Sequence, residues 1–124
     1  MPLEGLGVPG GCTRIHDDLF VRALYLEHAG ETALIIGCDL LFFERPVIDR
    51  YKGAIGRRLD LAPSQILLNC SHNHAGPRLS HWAYSDGPDP LYLDCIERQL
   101  VEAACRARQT LREVTVWAGL TRTD

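Results

Sequence analysis

Residues 70–77, which read CSHNHAGP, have the residue types and spacing in this sequence most suited to chemistry. His72 and His74 are separated by one residue. In extended backbone, side chains two positions apart point to the same side, so both imidazoles would face one point. Two neutral imidazoles in that arrangement suit Zn²⁺, which binds histidine nitrogen at about 2.0–2.1 Å. The spacing predicts that His72 and His74 are metal ligands; the alternative is a pair of loop histidines hydrogen-bonded to nearby backbone.

Catalytic zinc sites usually have three protein ligands and a bound water, but a third ligand is not evident near the pair. Six residues separate His81 from His74, in a polar stretch rich in glycine and proline. We expect His81 to lie on the surface or in a substrate groove rather than on the metal. The sequence therefore identifies two ligands of an incomplete zinc site and no catalytic residue.

Two apolar runs must position this loop. Residues 32–38 predict a strand buried on both faces, and residues 65–70 predict a second short buried strand that ends where the histidine loop begins. In parallel sheets, functional residues collect in the loops beyond the carboxyl ends of the strands. If these strands are parallel neighbours, Asp39 could accept the free N–H of a metal-bound histidine. The alternative is that Asp39 caps the turn that follows it.

The remaining pattern alternates strands with amphipathic helices, which predicts an α/β fold with right-handed crossovers. The fold class we predict is a mixed sheet in which an N-terminal β-hairpin is followed by α-β-α-β crossovers, all within one domain spanning residues 1–124. The other predicted elements are a strand at 19–28, a helix from Pro46 to Leu59, a helix that begins at Asp89-Pro90 and reaches Leu111, and a final strand at 114–118.

Composition excludes several classes of protein. With 124 residues, a net charge of −3 and 46% hydrophobic residues, the chain is neither mainly disordered nor electrostatically suited to nucleic acid. No run reaches the roughly 18 apolar residues of a transmembrane segment. Five cysteines without a C-x-x-C pair, and an N-terminus unlike a signal peptide, favour reduced thiols and a cytoplasmic location. A secreted location stays open for a longer parent chain.

The loop also resembles a known family motif. Residues 71–77, SHNHAGP, are similar to the T/S-H-T-H-S-G-P motif of the neutral/alkaline (non-lysosomal) ceramidases. Asn73 stands where the family has threonine, and Ala75 where it has serine. Residues 15–24 and 35–41 also resemble segments of that family, in the same order. The metallo-β-lactamase pattern fits less well, because it needs an aspartate-histidine pair where this chain has Ala75-Gly76.

The resemblance implies a zinc-dependent amidase that hydrolyses the N-acyl amide of ceramide or a related lipid. His72 and His74 would be two zinc ligands, while a further histidine, a glutamate and a tyrosine would lie far downstream. We therefore expect the 124 residues to be the N-terminal part of a longer catalytic domain, inactive alone and able to self-associate through exposed apolar surface. Gly76, His81 and Trp82 are the candidate substrate-binding residues. The alternative is a non-catalytic α/β binding or interaction domain with an incidental or degenerate histidine pair.

Overall fold

The computed structural model describes residues 14–81 and 87–122, and it shows the small α/β fold expected from the sequence. Helix α1 (Arg45–Leu59) contains Pro46 in its first turn, and helix α2 (Pro90–Gln109) begins directly after Asp89, whose side chain accepts a hydrogen bond from Leu91 N–H at 2.9 Å. In chain order the elements are β1 (Val21–His28), β2 (Glu31–Cys38), α1 (Arg45–Leu59), a 3₁₀ turn (Pro63–Gln65), β3 (Ile66–Cys70) and α2 (Pro90–Gln109).

The described strands form one mixed sheet in the order β1-β2-β3. β1 and β2 form an antiparallel hairpin joined through Ala29 and Gly30, whose φ angles of 50° and 84° match the paired positive φ values of a type I′ turn. β2 and β3 pair in parallel, and the register places Cys38 opposite Cys70. The carboxyl ends of β2 and β3 therefore meet at one edge, which is the arrangement that the sequence analysis left as a condition.

Both helices cover the same face of the sheet. Alternate strand residues point into a single core that also receives the apolar faces of α1 and α2. Burial of these side chains is the main favourable contribution to folding. The most buried residues of this core include Leu34, Ile36, Tyr51, Ile55 and Leu100.

The structure corrects two expectations. β2 is buried on one face only, because both helices pack on that face; Ile35, on the other face, is 37% exposed. The predicted strand at 114–118 is wrong, because residues 111–122 form neither helix nor strand. Val114 and Trp117 are 70% and 89% exposed. Strand preference measures how well a side chain fits a half-buried pleated surface, and no strand in the described part of the chain pairs with residues 114–118.

Neither α1 nor α2, nor any other helix in the part of the chain that the structure describes, is both long and apolar enough to cross a membrane.

Candidate functional site

The loops that follow β2 and β3 lie side by side at the carboxyl edge of the sheet. Ser71 N–H donates to the carbonyl of Cys38 at 2.9 Å, and Asn73 N–H donates to the carbonyl of Leu40 at 3.1 Å. These bonds continue the parallel pairing beyond the strands. They attach the histidine loop to the end of β2.

The rings of His72 and His74 are neighbours in this loop. Their centroids are 4.8 Å apart, their planes cross at 84°, and both side chains are exposed. The backbone between them is not extended, because His72 has a φ of +63°, in the left-handed region that non-glycine residues rarely adopt. The extended backbone that the spacing argument assumed is therefore absent at His72.

One ring of the pair is oriented by the protein backbone. His72 Nδ1 lies 3.3 Å from the carbonyl oxygen of Leu41. In the tautomer that donates from Nδ1 to this carbonyl, Nε2 keeps its lone pair on an exposed ring. Metal-binding histidines commonly donate their second N–H to a carboxylate or a backbone carbonyl, which fixes both tautomer and ring orientation.

The His72 ring contacts the carbonyl of Leu41 and not the carboxylate of Asp39, which the sequence had suggested as its partner. The carboxylate of Asp39 instead accepts from Arg22 Nη1 and from Phe20 N–H, each at 3.1 Å. The strand order explains this difference, because β1 and the histidine loop lie on opposite sides of β2, and the carboxylate turns toward β1. Asp39 contacts the histidine loop through its own carbonyl, which accepts from Asn73 Nδ2 at 3.4 Å.

The donor type and spacing of His72 and His74 fit two ligand positions of Zn²⁺. Across residues 14–81 and 87–122, no group of three or more histidine, cysteine, aspartate or glutamate side chains is arranged to hold a metal ion. A catalytic zinc needs about three protein ligands. The described residues therefore do not form a complete catalytic zinc site.

Two cysteines lie at the base of the loop but are poor metal donors as they stand. Burial raises the pKa of the Cys38 thiol to about 12 and that of Cys70 to about 11. The thiolate is the form that binds metal, so both groups are in the wrong protonation state near neutral pH. All four cysteines in the described ranges are free thiols, as expected, while Cys12 lies outside those ranges.

The candidate substrate-binding residues have different environments. Gly76 is buried, and a Cβ built on it would lie 3.5 Å from Leu19 Cδ1 and from Leu40 Cδ2. Gly76 thus packs the histidine loop onto the loop after β2. His81 is exposed, and Trp82 lies outside the described residues.

Glu44 contacts the candidate residue His81, and the sequence reasoning did not anticipate this contact. Its carboxylate accepts from His81 N–H at 2.7 Å, and its second oxygen lies 3.2 Å from His81 Nδ1. These contacts hold the pKa of Glu44 below its usual value, with the backbone hydrogen bond as the largest cause. The two residues are 37 positions apart, so no local pattern could have linked them.

No family model matches the sequence, and no match was found among curated proteins or solved structures. The likeness to the neutral ceramidases therefore depends on the motif residues themselves.

Proposed function

We propose that this chain is part of a zinc-dependent amidohydrolase of the neutral ceramidase type. The supporting observation is the exposed pair of imidazoles, 4.8 Å apart, at the carboxyl edge of parallel strands. The hydrogen bond from His72 to the carbonyl of Leu41 adds to this support, because it leaves Nε2 free to bind a metal.

In this proposal, His72 and His74 hold zinc together with ligands from a longer protein that contains these 124 residues. Zinc bound there would polarise an amide carbonyl and lower the pKa of a bound water toward about 7. The contribution of this chain is to present two oriented imidazoles on a loop anchored to β2. The substrate we propose is an N-acyl lipid such as ceramide. Two ligands alone would bind zinc weakly, so we expect no amidase activity from the 124 residues by themselves.

The test uses His72→Ala, His74→Ala and the double variant, made in the longer protein. We expect each single variant to lose bound zinc, measured by atomic emission, and to lose hydrolysis of a fluorescent ceramide. His28→Ala is the control, because His28 is an exposed histidine at the hairpin end of β1. Unchanged zinc content and unchanged hydrolysis in the double variant would contradict the proposal and favour a non-catalytic binding domain.

A parallel experiment uses the 124-residue chain and zinc alone. Calorimetric titration should give weak binding that the double variant abolishes and that His28→Ala preserves. Tight one-to-one binding that survives removal of both histidines would place any zinc site elsewhere.

A second proposal concerns the face of the sheet opposite the helices, where Leu24, Ile35 and Leu67 are all exposed. We propose that this face mediates self-association of the chain. Sedimentation velocity over a range of concentrations should show a reversible dimer, and Leu67→Gln should weaken it. A monomer at every concentration would contradict this proposal.

A further inference from the structure

We propose that Asn73 is a positioning residue, which sets the distance between the rings of His72 and His74 for a shared metal ion. The inference rests on the proposed metal-binding role of the two histidines. Asn73 separates them in the sequence, and its own side chain is a poor zinc donor beside imidazole. Its effect would come from the hydrogen bonds that it makes to the loop.

Asn73 joins three points of the chain. Its backbone N–H donates to the carbonyl of Leu40 at 3.1 Å, and its side-chain Nδ2 donates to the carbonyl of Asp39 at 3.4 Å. Its Oδ1 accepts from Ala75 N–H at 2.8 Å. One end of the amide meets an acceptor and the other meets a donor, and an asparagine side chain can satisfy both at once.

These bonds have direct consequences for both rings. The bond from Ala75 to Oδ1 closes an Asx turn around His74 and fixes where its ring leaves the backbone. The two bonds to the loop after β2, at Asp39 and Leu40, fix Asn73, the residue that follows His72.

His72 itself has a backbone conformation that needs such support. A non-glycine residue at a φ of +63° costs free energy, and it persists only when its surroundings hold it there. Hydrogen bonds flank His72 on both sides, from Ser71 N–H to the Cys38 carbonyl and from Asn73 N–H to the Leu40 carbonyl. The strained residue His72 is thus followed directly by Asn73, which is held by one backbone and two side-chain hydrogen bonds.

Two variants distinguish the two side-chain hydrogen bonds of Asn73. Asn73→Ala removes both side-chain hydrogen bonds. Asn73→Asp keeps an oxygen for Ala75 N–H but places a carboxylate oxygen against the carbonyl of Asp39, which repels it. Asn69→Ala is the matched control, since Asn69 is an exposed asparagine on β3 whose side chain makes none of the loop hydrogen bonds described above.

The first measurement needs no metal. In histidine-labelled protein, nuclear Overhauser effects between the ring protons of His72 and His74 report their contact. We expect the effect in the parent chain and in Asn69→Ala, and its loss in Asn73→Ala and Asn73→Asp while thermal unfolding stays cooperative. A merely structural role would lower the unfolding midpoint but leave the ring contact in the folded protein.

The second measurement is titration with zinc alone. We expect both Asn73 variants to weaken zinc binding about tenfold or more, as loss of a group that orients a ligand commonly does. If the parent chain binds zinc through both histidines and Asn73→Ala keeps both the affinity and the ring contact, the inference is overturned and the proposed function stands. If the longer protein binds no zinc through the two histidines, the proposed function fails, while the ring contact in the 124-residue chain still tests the positioning role. Loss of cooperative unfolding in both variants would show that Asn73 supports the whole fold and would also overturn the inference.

Discussion

Ile35 and Ile36 are adjacent residues of the same type on β2, yet Ile36 is fully buried and Ile35 is 37% exposed. The difference comes from the helices, which both pack on the face to which Ile36 points. Residue type does not distinguish these two positions, because both are isoleucine. What distinguishes them is which face the crossover helices cover.

The side chains on the uncovered face form cross-strand rows of different polarity. Leu24, Ile35 and Leu67 are cross-strand partners, so they form one apolar row across all three strands. The next row toward the candidate site holds Arg22, Gly37 and Asn69, and is more polar. Apolar side chains in contact across strands stabilise a sheet even when the row is open to solvent.

The comparison is tested most strongly by shortening one isoleucine side chain on each face of β2. We expect Ile36→Ala to lower the free energy of unfolding by about 2–5 kcal/mol, because it removes buried methyl groups and leaves a cavity. Ile35→Ala should cost clearly less, since part of that side chain already contacts water. Urea unfolding followed by circular dichroism measures both.

Equal losses in the two variants would contradict the comparison, because they would show that Ile35 is as enclosed as Ile36. Leu34→Ala provides a check on the covered face. Leu34 is also fully buried, so its truncation should resemble that of Ile36.

The elements themselves could largely be predicted from the sequence, because their signals are local. Ala29-Gly30 predicts a tight turn, Asp89-Pro90 marks a helix start, and aliphatic residues at helical spacing identify α1 and α2. The face that each strand buries could not be predicted in this way. The apolar run of β2 looks the same whether helices lie on one side or on both.

In the candidate site, too, features with local sequence signals could be predicted, and features that depend on distant contacts could not. The two histidines and the strand end that holds them could be predicted from spacing and from the run before them. The left-handed backbone of His72, the Leu41 carbonyl that orients its ring, and the Glu44–His81 contact depend on two loops distant in sequence. Such contacts arise only once β2 and β3 pair.

A smaller effect is expected from substitution of Glu44, which directly precedes α1 and contacts His81. The pKa of Glu44 is lowered in the folded state from an ordinary 4.5. Its charged form therefore contributes stability above pH 4.5, and this contribution is lost as the pH falls through the lower, folded-state pKa. We expect Glu44→Gln to cost less than about 1 kcal/mol at pH 7, since the pair is partly exposed.

The measurement is urea unfolding of the parent chain and Glu44→Gln from pH 7 down to pH 3. The difference between them should shrink with falling pH, whereas Glu31→Gln, at an exposed position on β2, should show no comparable pattern. A difference that is constant across this range would mean that the charge of Glu44 does not contribute to stability.

The smallest effect sharpens the comparison on β3, where Leu67 is 55% exposed and its neighbour Leu68 packs against the core. We expect Leu67→Gln to change the free energy of unfolding of the monomer by no more than about 0.5 kcal/mol, as is usual for surface positions. Leu68→Gln should cost more, because it moves an amide among apolar side chains without a designed partner. If the two substitutions are equally costly, the open face must be covered in solution. Repeating the unfolding at several protein concentrations then identifies the cover, because a second copy of the chain gives a concentration-dependent midpoint and contacts within one chain do not.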